Sequence, residues 1–210
     1  GITELYGLTE GVITTLDPEQ AEGRMASCGL PVPGMDLIIL DDDDRECGPE
    51  ETGEIVMRSR FVMPGYLNRD DASEEARFID EDGGHWLRTG DIGCINADGC
   101  IVIHDRIKEM IKVKGVQVAP AELEDLLLGH ELVEDCAVIG VPDDYAGERP
   151  FAFVVLRDGE GEDDGGSKEQ AMELLLEYVK AKKGRGKWLV GLRFVESILK
   201  SASGKILRRV

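Results

Sequence analysis

The chain has 210 residues, 42% hydrophobic and 32% charged, an ordinary globular balance with room for one large domain or two small ones. Its formal net charge of -19 speaks against generic binding to a nucleic-acid backbone, which needs Lys and Arg in excess. No segment holds the unbroken apolar run of a membrane helix. Residues 1–6 have neither the basic start nor the apolar stretch of a signal peptide and, lacking an initiator Met, do not read as a natural start.

Residues 28–103 read as a succession of short strands. Asp36–Leu40 is an apolar run ending in acidic turn residues, and Gly53–Arg58 is a second strand candidate. Asp91–Ile95 and Cys100–Ile103 flank Asn96-Ala97-Asp98-Gly99, and Asp-Gly supplies the positive φ that a tight hairpin turn requires. The second half alternates. Pro120–Leu128 has Pro at a helix start and apolar residues at helical spacing. Cys136–Val141 and Phe151–Leu156 read as buried strands. Residues 168–182 read as a helix with Met172, Leu175, Leu176 and Val179 on one face, and 192–195 as a last strand. The order helix, strand, strand, helix, strand predicts a compact α+β unit. Residues 157–167 read as a polar, mobile surface loop. The boundary between the halves falls near Asp105–Lys108, with no long linker.

Three acidic runs, 41–44, 80–82 and 160–164, read as solvated loops; as a metal site they lack the alternating spacing of a calcium loop. The five Cys, at 28, 47, 94, 100 and 136, form no metal or redox spacing. They read as reduced, partly buried thiols of an intracellular protein.

Five stretches have chemical potential. In Tyr6-Gly7-Leu8-Thr9-Glu10, the Gly admits a close ligand, the hydroxyl can donate to a phosphate oxygen and the carboxylate can hold a cation; any loop can also carry this wording. Thr52–Ile55 continuing to Pro64–Asn68 is, by itself, a strand leading to a turn. In Trp86–Asp91, a carboxylate after a Gly turn suits either the two hydroxyls of a ribose or the capping of its own turn. Asp105–Glu122 concentrates cations in an acidic chain, which suits a polyanionic ligand or a strand pair with solvated Lys. Lys200–Arg209 sets Lys205 after Ser-Gly on a loop, able to deliver a point charge, or simply forms a basic tail.

Taken together and in this order, the five stretches resemble consecutive core motifs of the adenylate-forming superfamily. That superfamily includes acyl-CoA synthetases, peptide-synthetase adenylation domains and firefly luciferase. The resemblance covers nearly the whole chain, and Val116–Glu124 is most similar to the 4-coumarate–CoA ligase and luciferase branch. It implies a fold of α/β and α+β type. Residues 1–105 would be the β-rich C-terminal part of a large AMP-binding domain, and 106–210 a small mobile α+β domain carrying the catalytic lysine.

The resemblance also implies ATP-dependent activation of a carboxylic acid through acyl-AMP, then thioester formation with CoA, with Mg²⁺ as cofactor. By position, Tyr6 would stack on adenine, Gly7 would belong to the nucleotide-binding set, Thr9 would contact the α-phosphate and Glu10 would ligate Mg²⁺. Asp91 would hold the ribose, with Arg106 nearby and Ile103 beside the adenine. Lys108 would be the hinge. Lys112, Gly115 and Gln117 would serve the thioester-forming state, and Lys205 would bridge carboxylate and phosphate during adenylation.

There are departures from the family pattern. The Ser/Thr/Gly-rich phosphate loop of the family has no counterpart in these residues, so the chain is expected to be an incomplete fragment, inactive alone, on whose residues 1–105 the missing part packs. Leu5 replaces a Gly common beside the acyl pocket, Leu199 a Pro before the lysine loop, and Phe151 a frequent Lys. The alternatives are an amino-acid adenylation domain and a non-catalytic interaction module. The expected compartment is cytoplasmic or peroxisomal.

Overall fold

The computed structural model describes residues 4–17, 24, 27–157, 165–202 and 204–208. The chain divides into two compact units, Gly1–Ile107 and Lys108–Val210. It is strand-rich, with 42% strand and 19% helix.

The first unit opens with an antiparallel hairpin, β1 (Glu4–Leu8) and β2 (Gly11–Leu16), to which β3 (Leu30–Pro31) adds. Then follow β4 (Asp36–Leu40), β5 (Gly53–Arg58), α1 (Asp70–Glu75), β6 (Arg77–Ile79), β7 (His85–Ile95) and β8 (Ile101–Arg106). They form a second sheet in the order β4-β5-β7-β6, with β8 pairing the far end of β7. Strand β5 is buried on both faces. Ile55 and Met57 enter the main core with Ile13, Ile39, Leu87 and Ile101, while Val56 packs with Leu40 and Trp86 on the other side. Burying each such side chain stabilises the unit by about 1.5–3 kcal/mol.

Two glycines set the strand spacing near β7. Gly53 and Gly93 face each other across β5 and β7. A Cβ on Gly53 would lie 2.2 Å from the Leu40 carbonyl oxygen, and one on Gly93 would lie 2.3 Å from that of Val102. The expected hairpin turn forms at Asn96–Gly99, where the Asn96 side chain accepts from the N–H groups of Asp98 and Cys100. The acidic runs at 41–44 and 80–82 build turns: Asp41 accepts from the N–H of Asp43 and Arg45, and Asp80 from the N–H of Gly84 and the Trp86 indole.

The second unit holds β9 (Ile111–Val113), β10 (Val116–Val118), α2 (Pro120–Leu128), β11 (Val133–Asp143), β12 (Gly147–Leu156), α3 (Gly165–Lys182) and β13 (Gly191–Phe194). The sheet order is β10-β9-β12-β11, with β13 parallel to β12. Alternate residues Cys136 and Val138 of β11, and Ala152 and Val154 of β12, meet Leu123 and Leu127 of α2 and Leu175 and Val179 of α3 in one core. Pro120 starts α2, where its missing N–H costs no hydrogen bond.

Several elements differ from expectation. The stretch at residues 4–16, left without a strand assignment above, forms a hairpin; its two-residue turn, Thr9–Glu10, carries no Asn-Gly or Asp-Gly signal that would mark it in sequence. Strand β7 starts at His85, so Trp86–Arg88 are strand residues, with Trp86 and Leu87 paired to β6 and Arg88 to Val56 of β5. Helix α3 begins at Gly165, inside the stretch read as a loop, since helix can propagate through glycines once the apolar face beyond them docks. Residues 158–164 of that loop, including the acidic run 160–164, lie outside the described residues, as does Ser203.

Candidate functional site

The two units carry separate sets of the sequence-predicted residues. In the first, Asp91 is 4% exposed and sits where β7 bulges against β5. Its carboxylate does not cap its own turn. Oδ2 accepts a 2.7 Å hydrogen bond from the Tyr6 hydroxyl, and Oδ1 lies 3.2 Å from Nε of Arg106. Arg106 is the direct cross-strand partner of Asp91 on β8, so the sheet register itself brings cation and carboxylate together. The Tyr6 ring is 8% exposed and belongs to the main core. Burial, and then the Asp91 hydrogen bond and charge, raise the Tyr6 phenol well above its ordinary range, so it donates and stays neutral. Ile103, half-buried on β8, packs against the same core.

The backbone turn that presents Asp91 is braced from β5. Thr89 Oγ1 donates to the Ile55 carbonyl and accepts from the Asp91 N–H. Glu54 accepts from the Gly90 N–H at 3.1 Å and from Arg88 at 2.8 Å. The stretch at 52–55, which in sequence is only a strand leading to a turn, therefore holds the Asp91 turn in place.

Thr9 and Glu10 form the tip of the β1–β2 hairpin. Glu10 Oε1 accepts a 2.6 Å hydrogen bond from the Tyr66 hydroxyl, which raises the Tyr66 phenol. The Glu10 backbone carbonyl also accepts from Met63 N–H, so the 63–66 turn is tied to the tip twice. Gly7 sits at a β-bulge; a Cβ there would lie 3.1 Å from the Gly11 carbonyl oxygen, so the hairpin itself favours its small size. Tyr66 is a residue that motif reading passed over, although it stands in the Pro64–Asn68 stretch.

In the second unit, Lys108 lies exposed in the 3-10 turn Ile107–Glu109. Lys112 and Gln117 are cross-strand partners on the β9–β10 hairpin, with the Lys112 side chain exposed. The turn between those strands places Lys114 at φ 52 and Gly115 at φ 80, the paired positive angles of a tight hairpin. A left-handed Lys is uncommon. Here Lys114 N–H donates to the Ala146 carbonyl, and its ammonium lies 3.9 Å from the Tyr145 ring centroid.

Lys205 is exposed on a separate small hairpin. Lys200 and Ile206 form its bridge, Ser201 N–H donates to the Lys205 carbonyl, and Lys205 N–H donates to Ser201 Oγ. Within the first unit the structure brings Tyr6, Asp91 and Arg106 together; within the second, it puts Lys112, Gly115 and Gln117 on one hairpin and Lys205 on another.

Comparison with known proteins gives the family. The profile of AMP-binding enzymes matches residues 1–67, and that of the AMP-binding enzyme C-terminal domain matches 122–205. A 4-coumarate–CoA ligase-like protein of Oryza sativa subsp. japonica is 44% identical over 99% of the chain, which spans 36% of that relative. A 4-coumarate–CoA ligase of Glycine max is 40% identical over 97% of the chain, which spans 68% of it. The o-succinylbenzoate–coenzyme A synthetase of Bacillus subtilis, solved with ATP and a magnesium ion, is 31% identical, with a TM-score of 0.80 over 98% of this chain and 40% of its own. The chain belongs to the adenylate-forming superfamily of AMP-binding enzymes, within its acyl-CoA ligase family.

Proposed function

We propose that this chain supplies the ribose-binding, magnesium-binding and lysine-bearing portion of an AMP-forming acyl-CoA ligase. The observation that carries the reading is the buried Asp91 carboxylate, fixed from opposite sides by Tyr6 and Arg106. An ionised carboxylate has about four lone-pair sites. Two are engaged here, which leaves capacity for the two hydroxyls of a ribose. Glu10 has one oxygen engaged by Tyr66 and a second available to a cation. One carboxylate plus substrate phosphates is a common way to hold Mg²⁺. That ion, when bound, would neutralise charge on the phosphates.

In the first half-reaction, the substrate carboxylate attacks the α-phosphorus of ATP and pyrophosphate leaves, giving acyl-AMP. Thr9 would donate to an α-phosphate oxygen, and Lys205 would set its ammonium between the carboxylate and the phosphate, where negative charge develops. In the second half-reaction, the CoA thiol attacks the acyl carbon and AMP leaves, with the Lys112, Gly115 and Gln117 hairpin serving this state. Lys108 would be the pivot between the two. The family's phosphate loop and most of its acyl pocket would come from residues outside these 210. Exposed Leu5 and Val12, 64% and 53% accessible, support a covering partner on the first hairpin. Free cysteines at all five positions support a reducing compartment, cytoplasmic or peroxisomal.

The test is product identification. The longest natural form, given aromatic and fatty acids, ATP, Mg²⁺ and CoA, should yield an acyl-CoA and AMP, and the 210-residue chain alone should yield neither. Transfer only to a carrier-protein phosphopantetheine would indicate an amino-acid adenylation domain. No AMP from either form would refute the reading.

A further inference from the structure

The hairpin bearing Lys205 has little core of its own. Lys205 and Leu207 are exposed and Ile206 is half-buried, so burial alone cannot hold its shape. Its two arms are instead tied down by ion pairs of different kinds. The first arm is held by Lys200, whose ammonium lies 2.6 Å from the Asp135 carboxylate, with both side chains about a third exposed. A single ammonium on a flexible stem at such a site fixes position weakly.

The second arm ends in Arg208, which is built differently. Its guanidinium meets both oxygens of Glu124, with Nη2 to Oε2 at 2.7 Å and Nε to Oε1 at 3.3 Å. Glu124 is 6% exposed on α2, and its Oε1 also accepts from the Val138 N–H of β11 at 2.8 Å. The third guanidinium nitrogen, Nη1, pairs with Glu109, the last residue of the 3-10 turn that opens the second unit. One side chain thus joins three pieces: the lysine hairpin, the core of the unit at α2 and β11, and the turn next to Lys108. A planar five-donor fork can hold two carboxylates in fixed directions at once, which an ammonium cannot.

We infer that Arg208 is a positioning residue for Lys205. It locks the lysine hairpin to the buried Glu124 and, through Glu109, to the turn that opens the unit, so that a rotation starting at that turn would carry Lys205 with it as one body. This inference rests on the role given to Lys205 above. It adds a residue and a linkage to that role.

The test has an arm independent of catalysis. In the 210-residue chain, Arg208→Lys keeps a positive charge beside Glu124 and removes the fork, so the core should stay folded. Amide hydrogen exchange at Ser201 and Leu207, whose N–H groups close the hairpin ladder, should speed up by about tenfold or more, while β11 and β12 keep their protection. Glu109→Gln, which leaves the buried pair intact, should speed exchange in the Ile107–Glu109 turn and leave α2 unchanged. Lys200→Gln should have the smallest effect. In the longest natural form, Arg208→Lys should slow adenylation by about tenfold or more, as expected for a misplaced charge. It should leave the KM for ATP and thioester formation from supplied acyl-adenylate within about twofold of wild type, the scatter expected for a neutral change.

Unchanged exchange at Ser201 and Leu207 in Arg208→Lys would overturn the inference. So would an equal fall in both half-reactions, which would mark a general structural role. If the natural form shows no adenylation at all, the proposed function fails, and the exchange arm still decides whether Arg208 orders the hairpin.

Discussion

Asp91 in the first unit and Lys205 in the second show two opposite ways to set a charge. Asp91 is 4% exposed, fixed by Tyr6 and Arg106, in a turn tied to β5 through the Thr89 hydroxyl on the Ile55 carbonyl and through Glu54. Lys205 projects into solvent from a hairpin whose order comes from ion pairs at its base. Burial makes a charge strong and directional but immobile, because it can be desolvated only once its partners are fixed. Exposure leaves an ammonium weak in isolation and easy to deliver. The contrast motivates the proposed division of labour, in which one unit would hold the nucleotide and the other would bring charge to it.

The largest effect on the Asp91 side should come from Asp91→Asn. It removes the charge that Arg106 and Tyr6 address, and charge-assisted hydrogen bonds are worth about 1.5–3 kcal/mol. We expect nucleotide affinity of the longest natural form, measured by calorimetry, to fall by roughly tenfold to a hundredfold. Binding at wild-type strength would mean that Asp91 serves only the fold.

A smaller effect is expected for Tyr66→Phe. The Tyr66 hydroxyl donates to Glu10, and if Glu10 holds Mg²⁺ as proposed, removing such an outer partner would cost about tenfold in metal affinity. A magnesium titration of the adenylation rate should shift to higher concentration, with the rate recovered at saturation. A lowered rate at saturating magnesium would show a different role.

The smallest effect belongs to the surface of the second unit. Burial alone would raise the Glu122 carboxyl, but hydrogen bonds from Lys183 and Lys187 outweigh it and hold the group below the usual carboxylate range. A carboxyl lowered in the folded state contributes stability above its unfolded value of about 4.3 and loses it as pH falls through the folded value. Urea denaturation should therefore show the stability gap between the wild-type chain and Glu122→Gln closing as pH falls from about 5 to about 3. A gap that is constant over this range would rule out the ion pairs as its source.

Much of this molecule was readable from local pattern. Strands β4, β5, β11 and β12 follow from apolar runs, α2 from Pro120 and helical spacing, and the β7–β8 turn from Asp-Gly. The β1–β2 hairpin was not readable, because Thr9–Glu10 is an unmarked turn and the strands owe their pairing to Ile13 and Tyr6 entering a distant core. Within the site, single residues with unusual chemistry, such as Asp91 and Lys205, stood out in sequence. Their supports did not. Tyr66, Glu54, Glu124 and Arg208 act through contacts separated by 56, 36, 14 and 84 positions, which only the fold brings together. Glu124 had a faint signal: it follows Leu123 on the apolar side of α2, where an unpaired carboxylate would be costly.

The most direct measurement is ATP–pyrophosphate exchange by the longest natural form with its preferred acid, wild type against Lys205→Ala. If Lys205 supplies the adenylation charge, exchange should fall by about 10²–10³-fold, as for loss of one transition-state donor, while thioester formation from supplied acyl-adenylate continues. Exchange at the wild-type rate in Lys205→Ala would contradict the division of labour between the two units.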